Sequence, residues 1–312
     1  MTASAAEAPC QTVEVPVSTA TVQGVIHGTL CTPPGATKVM VLIPGATYNS
    51  TYWDFPYQPD TYSFTLAMNR AGYATFDLDI LGTGASSKHP SVLLTSFVQA
   101  DAIHQVIQHL RGSFGKVILG GHSLGSAMAV LEAATYHDID ALLVTGEAHR
   151  VNAVNTVRLF STDLSPAPLD PVLAGRGYDL TQLTTTVGQR YDAFHRPGTV
   201  DPAVIALDEQ TKDAFALAAA PDAIGVAILT TYSNSINVPV MIAIGERDPY
   251  WCSLVLTFCT ESGIRHDEQP YYQSAPRLDT YVLPTSGHDI NLHPRAPELH
   301  AAVTTWADTV VP

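Results

Sequence analysis

A serine framed by glycines, Gly121-His122-Ser123-Leu124-Gly125, constrains this chain more than any other feature. It follows the apolar run Val117-Ile118-Leu119-Gly120 and precedes an alanine-rich stretch, Ala127 to Ala134, of helical composition. A strand that turns directly into a helix leaves no room for side chains two residues either side of the corner, so both positions become glycine. The corner backbone is strained, and the serine hydroxyl stands above the sheet. The helix behind it offers free N–H groups to a developing negative charge. In this strand–turn–helix context the motif reads as a nucleophile rather than a structural glycine turn.

The rest of the chain fits around that corner. Thr12–Ser18 and Thr21–Leu30 read as a hairpin, and Lys38–Ile43, Tyr73–Leu78, residues 116–120 and Ala141–Thr145 as further strands. Leu94–Gly112 carries Ile103, Val106, Ile107 and Leu110 on one helical face, and Tyr62–Gly72 reads as a shorter helix. Steady alternation of strand and helix predicts an α/β fold, a mostly parallel eight-stranded sheet with helices on both faces. The rhythm breaks after Thr145 and resumes at Val238–Ile244, followed by Asp279–Pro284 and a terminal helix, Glu298–Val310. That interval is far longer than a crossover needs. Residues 1–146 and 238–312 are therefore expected to form the core, with 147–237 inserted as a mainly helical lid in which Ala203–Ala220 is helical and Ser165–Pro171 a break. With 46% hydrophobic and 14% charged residues the chain can fill such a core.

A serine hydroxyl needs a base within reach and a carboxylate to orient that base. In a parallel sheet these come from loops at the carboxyl ends of strands. His288, in Ser286-Gly287-His288 after the last strand, is the expected base. Asp248, in Gly245-Glu246-Arg247-Asp248 after the penultimate strand, is the expected acid. His149 is the alternative base, and Glu147 and Glu246 are alternative acids. His122 should point away from the hydroxyl. The oxyanion of a tetrahedral intermediate is expected to meet the N–H of Leu124 and that of Ala46, in the turn Pro44-Gly45-Ala46-Thr47, with Thr47 as the second candidate. Thr47, Tyr48, Tyr52, Trp53 and Trp251 are candidates for the substrate pocket, although large aromatics also dominate cores. No cofactor or metal is expected; His288, His293 and His300 match no ligand spacing.

With these residues in hand, the chain resembles the α/β-hydrolase superfamily from about Lys38 to the C-terminus, the insertion excepted. The matches are the Gly45-Ala46 turn, Asp79-Ile-Leu-Gly82-Thr-Gly84-Ala-Ser86, the Gly-His-Ser-Leu-Gly corner, and the paired Gly-Glu-Arg-Asp and Ser-Gly-His segments. The combination of Thr47-Tyr48-Asn49 with Tyr52-Trp53-Asp54-Phe55-Pro56 and the N-terminal cysteines is similar to a group of exported bacterial members of undefined substrate. Many relatives have histidine where this chain has Pro44. The resemblance implies a serine hydrolase of a carboxylic ester or lactone. The alternatives are an acyltransferase or cyclase of natural-product metabolism and, further off, a non-catalytic ligand-binding protein. Ser123 argues against relatives that carry aspartate at the corner.

Partners follow from charge and cysteines. A formal net charge of −14 leaves nothing to balance phosphates, so a small-molecule substrate is expected and nucleic acid is not. The most apolar stretch, Ala214–Thr230, is broken by Pro221-Asp222, so no membrane span is expected. Cys10 and Cys31 lie at ends that the hairpin brings together, and Cys252 and Cys259 could close a small loop. Two such bridges would suit an extracellular protein; four free thiols in the cytoplasm are the alternative. The start, Met1-Thr-Ala-Ser-Ala-Ala-Glu-Ala-Pro, has neither the basic nor the apolar part of a leader, as if one had been removed.

Overall fold

Alternation within the apolar runs sorts side chains into two cores. In the strand Lys38–Ile43, Val39, Val41 and Ile43 join one cluster, while Met40 and Leu42 join the other. The strands at 116–122, 141–145 and 240–245 divide in the same way. Strands buried on both faces need apolar residues at consecutive positions, which is why these runs lack the polar alternation of a half-exposed sheet.

The computed structural model describes residues 8–229, 232–252 and 259–312. Its main sheet contains β1 (Cys10–Ser18), β2 (Gln23–Cys31), β3 (Lys38–Ile43), β4 (Ala74–Leu78), β5 (Lys116–His122) and β6 (Ala141–Thr145). A smaller sheet holds β7 (Leu164–Pro166), β8 (Gln182–Thr185) and β9 (Phe215–Ala216), and β10 (Val240–Gly245) and β11 (Leu278–Leu283) complete the main one. The spatial order of the eight is β1-β2-β4-β3-β5-β6-β10-β11. The pairs β1/β2 and β2/β4 are antiparallel; the remaining pairs are parallel. The first hairpin sets Cys10 opposite Cys31, and a disulfide joins them; a second joins Cys252 and Cys259.

The helices are α1 (Pro59–Tyr62), α2 (Phe64–Arg70), α3 (Ser96–Leu110), α4 (Leu124–Tyr136), α5 (Ala153–Arg158), α6 (Pro202–Thr211), α7 (Ala219–Leu229), α8 (Glu261–Glu268) and α9 (Ala296–Val310). Buried residues of α3, α4, α7 and α8 pack in one core, and those of α1, α2 and α9 in the other. Ser63 splits the helix expected over 62–72: its hydroxyl caps α2 by accepting from Leu66 N at 2.8 Å. No helix among the described residues is long and apolar enough to cross a membrane.

The insertion differs from expectation in two respects. It contains the antiparallel sheet β7-β8-β9 as well as helices. The helix expected over 203–220 ends at Thr211, because Lys212 is drawn into the interior, where its ammonium meets Asp170 at 2.6 Å and Glu209 at 2.5 Å. A new helix then starts at Ala219. Pro221, which reads as a break, sits in its first turn, where a missing N–H costs nothing.

Candidate active site

The corner after β5 has the strain its sequence demands. Ser123 adopts φ 52° and ψ −120°, a left-handed conformation rare for a residue with a side chain, and its N–H donates to the Thr145 carbonyl at 2.8 Å. A Cβ at Gly121 would lie 2.4 Å from the Gly125 carbonyl oxygen, and one at Gly125 would lie 2.4 Å from that of Pro44. Both contacts are with backbone, which has no rotamer to yield. Helix α4 starts at the next residue, so its N-terminus faces the serine.

His288 and Asp248 come from the loops after β11 and β10. His288 Nδ1 lies 2.7 Å from Asp248 Oδ2, while Asp248 Oδ1 accepts from Tyr250 N at 2.9 Å. Both side chains are buried. Burial alone would lower the imidazole pKa, but the charge and hydrogen bond of Asp248, helped by Asp289, outweigh it and raise the value above the ordinary one. The Phe194 carbonyl, from the insertion, accepts from His288 N at 2.8 Å and from Asp289 N at 3.1 Å, fixing the loop.

Ser123 and His288 line one cavity of about 800 Å³, open mouth included, together with Ala46, Leu124, Glu147 and Trp251. Leu159, Phe160 and Phe215 of the insertion close another side. The N–H groups of Ala46 and Leu124 donate to no acceptor among the described residues. Of the pocket candidates, Trp251 is on the wall, but Thr47, Tyr48 and Trp53 are not. Trp53 is in the core against Phe64 and Tyr52, its ring paid for by burial on every side. Tyr48 and Thr47 face away from the cavity into a buried polar network, because the positive φ of Thr47 (67°) turns the chain there.

The rival residues have other partners. Glu246 accepts from Thr285 N at 2.8 Å on the surface. His149 stands between Glu268 (2.6 Å) and Ser233 (2.8 Å), repeating the acid–imidazole–hydroxyl pattern with a serine that is fully buried. Glu147 is buried on the cavity wall; its Oε2 has no partner among the described residues, and burial together with Glu268 pushes its pKa well above the carboxylate range. His293 and His300 face Thr285 and Asn291 respectively, so the three late histidines do not converge.

The buried network is what reading by motif missed. Arg190 donates from Nε and Nη2 to the two oxygens of Asp208 at 3.0 and 2.7 Å, and from Nη1 to Thr47 Oγ1 at 2.5 Å. Tyr48 donates to Asp208 at 3.0 Å and also to Asp289, which pairs with His122 Nε2 at 3.1 Å. His122 and His195 close by hold the Asp289 carboxyl below its usual range despite burial. Asp213 N adds a bond to the Thr47 carbonyl at 2.9 Å. Residues of the insertion thus anchor both the turn after β3 and the histidine loop. Its members lie up to 241 residues apart, so no local pattern marks them.

Comparison with known proteins agrees with the fold. The model of the alpha/beta hydrolase family matches residues 40–297. No curated protein matches the sequence. Similar solved structures include a thermophilic esterase from Thermogutta terrifontis (18% identity, TM-score 0.63, covering 97% of this chain and 100% of that one). A thermostable carboxyl esterase from Bacillus coagulans is 15% identical, with TM-score 0.65, 96% of this chain and 99% of that one covered. The enol-lactonase from Burkholderia xenovorans LB400 is 16% identical, with TM-score 0.60 and coverage of 91% and 97%. At these identities the likeness is one of fold.

Proposed function

Because the chain belongs to the alpha/beta hydrolase family, we propose that it hydrolyses a carboxylic ester or lactone through an acyl-enzyme on Ser123. The observation that carries this reading is the single cavity lined by Ser123, His288, Ala46 and Leu124, with Asp248 2.7 Å behind the imidazole. Ser123 Oγ attacks the ester carbonyl while His288 Nε2 takes its proton; Asp248 holds the ring's Nδ1–H and stabilises the imidazolium. The N–H groups of Ala46 and Leu124 hold the oxyanion, the second aided by the positive end of α4. Each such donor contributes roughly 2.7–4 kcal/mol at the transition state. His288 then protonates the leaving alkoxide, and water, deprotonated by the same imidazole, releases the acid.

The apolar wall formed by Leu159, Phe160, Phe215 and Trp251 suits a small or medium apolar acyl group. Residues 147–237 serve as the lid over it. The two disulfides support an extracellular setting, where such bonds persist. The enol-lactonase among the similar folds makes lactones a natural part of the substrate series. The test is turnover of p-nitrophenyl acetate, butyrate and octanoate and of a six-membered lactone, by wild type and Ser123→Ala. Loss of the nucleophile should lower kcat by about 10⁴- to 10⁶-fold. Turnover retained in Ser123→Ala would end the covalent mechanism.

A further inference from the structure

Four buried polar atoms without a hydrogen-bond partner among the described residues meet in one place outside the catalytic cavity, between α3 and the far end of α4. They are His104 Nδ1, both carboxylate oxygens of Glu132, and Asp138 Oδ1. His104 Nδ1 lies 2.8 Å from Asp138 Oδ2, without the alignment of a hydrogen bond, and 3.7 Å from Glu132 Oε1. One imidazole nitrogen therefore faces two carboxylates, and a single proton on it cannot serve both. Glu132 is completely buried, so water does not reach the carboxylate left over. A buried carboxylate is stable only when it is paired, takes up a proton or binds a metal.

The surroundings hold these groups in place as supporting residues do at a metal centre. The ring of Tyr136 stacks on His104 at 3.8 Å between centroids and 10° between planes, and Gln108 Nε2 donates to Asp138 Oδ2. The ligand atoms all lie within 4.8 Å of one another. Around a tetrahedral zinc with bonds of about 2.0–2.1 Å, neighbouring ligands sit roughly 3.4 Å apart. The separations of 2.8 and 3.7 Å straddle that value. His104 and Asp138 are partly exposed, at 24% and 16%, which leaves a path for the ion and a place for a water as fourth ligand.

We propose that His104 Nδ1 and the carboxylates of Glu132 and Asp138 bind a zinc ion between α3 and the end of α4. One nitrogen and two carboxylates suit Zn²⁺; calcium takes six to eight oxygens. None of the three residues lines the catalytic cavity, so the site is separate from catalysis. It also departs from the metal-free chain expected from sequence, whose test was spacing among the late histidines.

The test is titration of the chelator-stripped full chain with Co²⁺, whose visible absorption reports tetrahedral geometry, followed by displacement with Zn²⁺. One Co²⁺ per chain is expected, with the spectrum lost as zinc enters. His104→Ala and Glu132→Gln should each weaken binding by more than about 100-fold, since losing only a supporting partner already costs 10–100-fold. Glu132 is buried and its variant could fail to fold; His104→Ala changes a partly exposed position, and labelling of Ser123 by a fluorophosphonate checks its fold. An absent spectrum, undiminished binding in His104→Ala, or saturation by Ca²⁺ in place of Zn²⁺ would overturn the assignment.

Discussion

Arg190→Met, set beside a double variant that also removes Asp208, separates stability from catalysis. Arg190 is fully buried, forks onto Asp208 at 3.0 and 2.7 Å, and reaches Thr47 Oγ1 at 2.5 Å. Methionine fills most of its volume but strands the carboxylate of Asp208. Breaking a buried pair typically costs about 3–5 kcal/mol. Tyr48 (3.0 Å) and His195 (3.2 Å) still face Asp208, so the lower end, about 3 kcal/mol, applies here. With roughly 2.1 cal/mol/K of unfolding entropy per residue, that loss lowers the Tm of 312 residues by on the order of 5 °C.

The double variant Arg190→Met/Asp208→Leu strands no charge and should recover most of that Tm, as apolar replacements of buried pairs commonly do. Its kcat should not recover. Thr47, next to the proposed donor Ala46, still lacks the Arg190 bond to its hydroxyl, and the loss is bounded by the roughly 2.7–4 kcal/mol of one oxyanion donor. Thermal unfolding by circular dichroism and p-nitrophenyl ester kinetics measure the two effects. A single variant within about 1 °C of wild type refutes the pairing energetics. A double variant that regains kcat along with Tm refutes the idea that the insertion positions the turn.

Three further outcomes test the rest of the site. In the proposed mechanism His288 must be neutral to accept a proton, and Asp248 raises its pKa above the ordinary 6.5, so the acid limb of kcat/KM should have its midpoint above that value; Asp248→Asn should move the limb down and lower kcat by about 10⁴-fold. By linkage the same pair stabilises the fold fully below the ordinary histidine pKa and progressively less as pH rises through the raised one, which urea unfolding at several pH values would register. Gly125→Ala forces a Cβ to 2.4 Å from the Pro44 carbonyl and 2.6 Å from that of Ile43; it should yield either insoluble protein or protein that a fluorophosphonate no longer labels, and a soluble, labelled variant would refute the close packing of the corner.

What could be read in the chain beforehand was whatever depends on neighbours in sequence. The corner at 121–125 carries its own steric demand, and the runs at 38–43, 117–120 and 141–145 show their burial directly. Cys10 and Cys31 could be matched because a hairpin is local. The small sheet escaped notice because β7, β8 and β9 have only 3, 4 and 2 residues, too few for alternation to register. Tyr48 and Trp53 look alike in an aromatic-rich loop, yet one enters a polar network and the other an apolar core, according to a backbone turn at Thr47 that composition does not encode. Arg190 and Asp208 gave no signal, since a lone charged residue in a helical stretch ordinarily faces solvent.

The carbonyl of Phe194 receives two N–H groups from the histidine loop, and the two segments approach so closely that a Cβ on Gly198 would overlap Gly287 N and one on Gly287 the His195 carbonyl. This part of the insertion is thus a mould in which the loop sets, rather than a flap laid over a finished surface. An engineer seeking new substrates could not exchange 147–237 as a cassette without recasting the loop as well. At the insertion's rim the exposed side chains of Val154, Val157 and Ile224 are the positions open to change, whereas Asn155, bonded to the Pro249 carbonyl, and Asp222, bonded to Ser96 N, hold it in place.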